Sequence, residues 1–275
     1  MAKTKPHLPE TIDEGQMVKI DPRAIVSPEA DIGDGSEVGP FAIIEKGAVI
    51  GRNCKIGAYS CIYGRVKMGD ENVVYPHASI GAEHQFLRYK EHQGEVIIGN
   101  RNVFREFVTV HPGTPEVENK TIIGDDNYLM IGVHIAHDCK IGNRNILSNL
   151  TSLAGCVEVG DDVTFGGMCG IHQWVRIGSY AMIGGGTMVQ MDVPPFCLAA
   201  GNRAELHGIN EIGLKRRGFT GERIFKLKKA YKILFVSGLS LEEGMKKVEE
   251  LGGEDIELLL SFIKNTERGI LPPAR

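Results

Sequence analysis

No run of eighteen apolar residues occurs in this chain, so no segment reads as a membrane span. The N-terminus lacks the apolar core of a signal peptide, and a cytoplasmic protein is the expectation. Six cysteines occur without a single C-x-x-C pair, so neither a zinc site nor a disulfide framework is signalled. An excess of basic charge is missing as well. The formal net charge is −4 over 275 residues, which argues against wholesale nucleic-acid binding. Through most of the chain there is also no 3.6-residue helical pattern and no two-residue strand pattern.

What is present is a period of six. Ile20, Val26, Ile32, Val38, Ile44, Ile50, Ile56, Ile62, Met68, Val74 and Ile80 form one series. A second runs at the same spacing from Ile123 to Val189, with Phe165 its only aromatic. Four residues after each aliphatic stands a mostly small residue, as at Ala24, Ala30, Ser36, Ala42, Ala48, Cys54 and Ser60. This is the hexapeptide signature of a parallel β-helix, in which three short strands close one triangular coil. Both residues point into the prism, and each buried aliphatic contributes roughly 1.5–3 kcal/mol. Gly, Asp and Asn between them suit tight turns. Cys54, Cys139 and Cys169 fall in the small inward column and act as reduced apolar fillers. Residues eighteen apart should stack one above the other. The period does not fix the handedness.

The repeat divides the chain. Residues 1–17 are a polar tail out of register. The β-helix runs over 18–197 with loop insertions at 81–96 and 111–121, and residues 198–275 form an α-helical C-terminal domain. The first insertion carries Glu83, His84, Gln85, Arg88, Tyr89 and Lys90, polar enough to cover a site or a subunit seam. In the C-terminal domain, Ile224, Leu227, Tyr231 and Leu234 share a face over 220–236. Ser240 and Glu243 form a capping box, Gly252 suits a helix end, and a last helix spans roughly 255–266. Lys215, Arg216, Arg217, Arg223, Lys226, Lys228, Lys229 and Lys232 make a basic stretch in an acidic chain. It is either a solvated helix face or a docking surface for an acidic partner or phosphate groups.

Three histidines stand out by position. His134 precedes the inward Ile135 and points outward, while His137 follows it near the turn. Eighteen residues above His137 is Gly155, and eighteen above Ala154 is His172. The arithmetic predicts a surface strip of His137, a glycine amide and His172. A neutral imidazole can act as a general base, the adjacent Asp138 can fix its tautomer, and a glycine N–H can hold an oxyanion. Three histidines can equally hold zinc.

The stretches Ile131 to Cys139, Gly170-Ile171-His172-Gln173, Asp192-Val193-Pro194-Pro195, Gly201-Asn202 and Gly213 to Phe219 resemble the bacterial UDP-N-acetylglucosamine O-acyltransferases, which open lipid A biosynthesis. The resemblance extends from about residue 18 to the end. It implies a homotrimer of left-handed β-helices with active sites between subunits, no cofactor and no metal. His137 then corresponds to the general base, Asp138 to its orienting carboxylate and Gly155 to the oxyanion donor. His134 and His172 correspond to substrate-positioning residues, together with Gln85 and Arg88 of the first insertion. Gln173, Asn210, Arg216 and Arg217 correspond to nucleotide or phosphate contacts. Gly185 stands where the family limits acyl-chain length, and as glycine it leaves the groove open. Acyl carrier protein, an acidic partner, fits the basic stretch from Lys215 to Lys232.

Two positions depart from the family pattern. Phe86 replaces an aspartate that contacts the sugar, and Cys156 replaces a histidine. They leave open an acceptor with a 3-amino group in place of the 3-hydroxyl. Cys156 is the nearest thiol, more a pocket neighbour than a nucleophile. Competing readings are a zinc hydratase on the same fold, a non-catalytic relative that binds carrier or nucleotide, and the sister N-acyltransferase. The His134–His137 spacing is tighter than the hydratase pair, and Leu214-Lys215-Arg216-Arg217 favours the O-acyl branch.

Overall fold

Short strands built on the six-residue period stack into three sheets of eleven, nine and eight strands, parallel throughout except for the last strand of the first. The computed structural model describes residues 17–85 and 94–274. Registers such as Val38↔Ile56 and Leu153↔Ile171 show the eighteen-residue coil. Its aliphatic column is buried, from Val38 through Ile80 and again to Val189. The small column is buried with it, including Cys54, Cys139 and Cys169. In one stretch of that column asparagine replaces the small residue. Asn102, Asn127, Asn145 and Val163 each donate their backbone N–H to the side-chain carbonyl of the Asn one coil below, at 2.8–2.9 Å. The amide of each such side chain fits because it supplies a hydrogen bond in line with the sheet.

The insertions are shorter than their sequence bounds. The strand Glu95–Ile98 begins inside the first and Lys120–Ile123 inside the second. Val96 and Ile98, and likewise Thr121 and Ile123, point inward, which lengthens each strand beyond the two-residue norm. The insertions also change the stacking step. Val74 pairs with Phe104, and Thr109 with His134, so thirty and then twenty-five residues separate stacked positions there.

Turns hold more than Gly, Asp and Asn. Phe41, Tyr59, His77 and Phe107 occupy the left-handed region, φ 58–65°. Their rings stack at 5.0–5.2 Å between centroids, which offsets the strain of a bulky residue at positive φ.

The region 198–275 is not wholly helical. Strand Cys197–Ala200 continues one sheet, and Glu205–Ile209 adds to it antiparallel. Ala199 and Leu206 are buried there, so the solenoid's last coil is covered by strand before any helix begins. Four helices follow: α1 (Glu211–Arg216), α2 (Gly221–Phe235), α3 (Leu241–Glu249) and α4 (Glu254–Lys264). Ile224, Leu227 and Leu234 of α2 are buried, and Ser240 and Glu243 make the expected capping box. The helices pack beside the solenoid through a core of their own that includes Phe196, Leu214, Leu227 and Leu260. Arg176 fastens them, donating to the Asn265 carbonyl at 2.8 Å and lying over the Phe262 ring. The tail 1–16 lies outside the described residues.

Candidate active site

His137 and Asp138 sit in the turn that leads from the strand His134–Ile135 to the strand Lys140–Ile141. Asp138 has φ 59°, which turns its carboxylate back onto the preceding imidazole. The Asp138 carboxylate and His137 Nδ1 are 2.9 Å apart. A carboxylate accepts, so Nδ1 carries a proton, and the neutral imidazole then offers its lone pair at Nε2. Asp138 is held in turn by Thr114, whose N–H and Oγ1–H donate to it at 2.9 and 2.7 Å. Its side chain is fully buried and that of His137 nearly so.

Gly155 stacks on this imidazole as the eighteen-residue step requires. A Cβ at Gly155 would lie 2.5 Å from His137 Nε2 and 2.4 Å from Cε1, so only glycine fits. The coils are locked on either side, with Cys156 N–H donating to the His137 carbonyl and Trp174 N–H to the Gly155 carbonyl. Among the described residues no carbonyl accepts from the Gly155 amide. Imidazole and glycine therefore lie against each other.

His134 points outward as predicted and meets Thr109 Oγ1 at 2.8 Å. Burial, and then the neighbouring His111, hold its pKa below the usual imidazole range. His172 is exposed along a groove of about 520 Å³ that runs from His134 past Ser152, Ala154 and Gly170 to Met188. The groove is almost wholly apolar, and Met188 Sδ lies across Gly170. Gly185 is exposed at the turn just before Met188, with room for a side chain. Gln173 is half-buried beside Cys156. Burial and the Asp138 charge push the Cys156 thiol up to about 11, so it stays protonated at neutral pH. Replacing Cys156 by alanine should therefore leave acyl transfer within about twofold of the parent in a turnover assay, as a protonated thiol contributes no nucleophile.

Histidines that the eighteen-residue count missed complete the site. His111 lies one coil beneath Ala136, its Nδ1 donating to the carbonyls of Ala82 and Glu83, and its ring 5.2 Å from His134. His84 is buried edge-on to His137 at 6.4 Å. Thr114 belongs with them. Counting back twenty-five residues instead of eighteen finds His111. Gln85 is exposed at the base of the same loop, while Phe86 and Arg88 lie outside the described residues.

The remaining predicted contacts are elsewhere. Asn210 caps α1 and donates to the Tyr180 carbonyl at 2.9 Å. Arg217 pairs with Asp162, which also binds Arg144. Tyr180 and Asp162 lie on a different corner of the prism from His137, so one chain does not bring Asn210, Arg216 and Arg217 to the dyad. The basic stretch is also less free than its sequence suggests. Lys215 and Lys228 both pair with Glu211, which they hold down at about 2, and Arg223 pairs with Asp255. Arg216, Lys229 and Lys232 are exposed without a partner among the described residues. Nor do His134, His137 and His172 converge as metal ligands within one chain. The one described group of that kind is His137, Asp138 and Cys156.

A stack of hexapeptide coils with a carboxylate-held imidazole under a glycine amide defines an acyltransferase of the left-handed β-helix class. The profile described as bacterial transferase hexapeptide (six repeats) matches residues 47–82 and 120–155. The profile described as UDP N-acetylglucosamine O-acyltransferase, domain 2, matches 192–271. A Burkholderia orbicola protein named acyl-[acyl-carrier-protein]–UDP-N-acetylglucosamine O-acyltransferase is 48% identical over 261 residues, 93% of this chain and 100% of its own. The Francisella novicida UDP-N-acetylglucosamine acyltransferase structure shares 36% identity at TM-score 0.90, covering 93% of this chain and 95% of that one. The Bacteroides fragilis enzyme shares 41% at 0.89, covering 91% and 99%. The chain belongs to the UDP-N-acetylglucosamine O-acyltransferase family.

Proposed function

We propose that this protein transfers a 3-hydroxyacyl chain from acyl carrier protein to the 3-hydroxyl of UDP-N-acetylglucosamine, the first step of lipid A biosynthesis. The observation that carries this reading is the Asp138-held His137 imidazole packed against Gly155, whose amide no described carbonyl claims. His137 Nε2 takes the proton of the sugar 3-hydroxyl as that oxygen attacks the thioester carbonyl. The Gly155 N–H donates to the developing oxyanion, and Asp138 stabilises the imidazolium. Collapse re-forms the carbonyl and expels the carrier thiolate, which takes the proton back from His137. The acyl group passes directly, with no covalent enzyme intermediate. The relatives' O-acyl names favour the hydroxyl acceptor; Cys156, where the family carries a polar histidine, keeps the 3-amino sugar as the second acceptor to test. The reaction is assigned to the cytoplasm, where its free cysteines fit; no described helix is long and apolar enough to cross a membrane.

The positions of Arg216 and Arg217 support a homotrimer. They stand on another corner from His137, so a second copy has to present them to a sugar phosphate held at the dyad. Carrier docking falls to Lys229 and Lys232, the exposed lysines left unpaired in the basic stretch.

Incubation with 3-hydroxyacyl carrier proteins of graded length and with UDP-N-acetylglucosamine or its 3-amino analogue, read by product mass, tests the reading. An ester product from the hydroxyl sugar is expected. Exclusive amide product would move the acceptor to the amino sugar, and no product from any pair would remove the transferase reading. The same assay tests the groove. Met188→Ala should shift the preferred chain upward by roughly two or more carbons, since the thioether that covers Gly170 is removed. An unchanged length profile would place the chain elsewhere.

Thr114→Val removes the hydroxyl donor from a buried carboxylate, a loss of roughly 1–3 kcal/mol. Turnover should fall about tenfold and the melting temperature should drop, with Thr114→Ser restoring both. Unchanged turnover would mean that Asp138 does not need this support.

A further inference from the structure

We propose that the same dyad forms an inhibitory site for a thiophilic divalent cation, with Cys156, Asp138 and His137 as its ligands, entered from the side away from the acyl groove. The eighteen-residue step sets Cys156 directly above Asp138, and the three residues are buried together, 8%, 3% and 5% exposed for His137, Asp138 and Cys156. A ligand atom from each lies within 4.8 Å of the other two. Around one tetrahedral zinc such atoms stand roughly 3.5 Å apart, so a side-chain shift of about an ångström closes the set. Imidazole, carboxylate and thiolate are a donor set that zinc and cadmium accept and magnesium does not. The transfer reaction makes no use of the Cys156 sulfur.

An approach exists. A separate pocket of about 530 Å³ opens behind the dyad, walled by Trp174 and reaching both Asp138 and Cys156. Five carboxylates line it, those of Asp138, Asp192, Glu118, Glu158 and Glu267, against three cations, Lys140, Arg176 and Arg268. The surplus negative charge concentrates cations there. The groove that holds His134 and His172 lies on the neighbouring sheet face, so cation and acyl chain do not compete for space. On binding, the Cys156 thiol gives its proton to solvent and the sulfur and the Asp138 carboxylate turn to the metal. If His137 binds through Nε2, its lone pair is taken and Nδ1–H loses the carboxylate that orients it; if it binds through Nδ1, that proton moves to Nε2; in both cases the base is disabled.

The inhibition is read on the transfer reaction proposed above, whereas the binding is not. The full-length protein is titrated with cadmium chloride, following the ultraviolet charge-transfer band of a cadmium–thiolate, and transfer is assayed with micromolar zinc, cadmium or magnesium. The expected result is one band per chain, at least a tenfold loss of kcat with zinc and cadmium, recovery with EDTA, no effect of magnesium, and an unchanged KM for the UDP-sugar. Cys156→Ala should lose the band and keep its transfer rate in zinc, and Cys156→Ser serves if the alanine variant fails to fold. A band or an inhibition that persists in these variants, or inhibition that competes with the UDP-sugar, overturns the proposal. A band without any transfer activity in metal-free protein would leave the cation site standing and remove the functional reading instead.

Discussion

His137→Ala should lower acyl transfer by roughly 10²–10⁴-fold, the range that positioned general bases supply, while the solenoid stays folded. The Cε1–Nε2 edge of the imidazole lies against Gly155, and its other nitrogen is committed to Asp138. Its neighbours in the turn are held by backbone bonds that the substitution leaves alone, such as Cys156 N–H to the carbonyl of residue 137. Circular dichroism and melting temperature should therefore change little. The KM for either substrate should move far less than kcat, because the base acts on the proton in flight. A variant that retains more than a tenth of the parent rate would contradict the assignment.

Gly155→Ala should be nearly as severe for a different reason. The added methyl would stand 2.4–3.0 Å from three atoms of the His137 ring, closer than carbon approaches carbon or nitrogen without displacement. The ring cannot turn away without breaking its bond to Asp138, and the coils cannot part without losing ladder hydrogen bonds. A misplacement of about 1 Å in such a site can lower turnover by about 10²-fold. Overpacking of this size costs about 1–3 kcal/mol, so melting temperature should fall as well. Gly185→Ala is the control for stability, since a Cβ there meets nothing closer than 3.6 Å. If Gly155→Ala turned over normally, the imidazole would not lie against that glycine in solution.

The inward columns were legible because a six-residue period admits one architecture, and wherever coils follow without interruption the count of eighteen placed His137 under Gly155. It failed where loops intervene. The strand before His134 ends at Val110, twenty-five residues before its stacked partner Ile135, and this offset hid His111 and Thr114. Nothing in the local sequence separates the loop's apolar residues from the strand that resumes at Glu95. Helix α3 declared itself through Ser240 and Glu243, whereas α1, six residues long and started by the Asn210 side chain, has too few residues for a periodic face. The sequence bound at 197 falls short as well: strand Cys197–Ala200 carries the sheet further, because Ala199 and Leu206 still point inward. Pairing within the basic stretch was readable only for Lys215 and Glu211, four residues apart. Asp255, the partner of Arg223, lies thirty-two residues further along the chain.

The most direct test is complementation between subunits. His137→Ala and Arg216→Ala chains, each nearly inactive alone, are unfolded together, reassembled and assayed. If one protomer's imidazole acts on a sugar whose phosphates another protomer holds, random mixing restores about a quarter of parental activity. A mixture no more active than the sum of its two components would contradict a site shared across the seam.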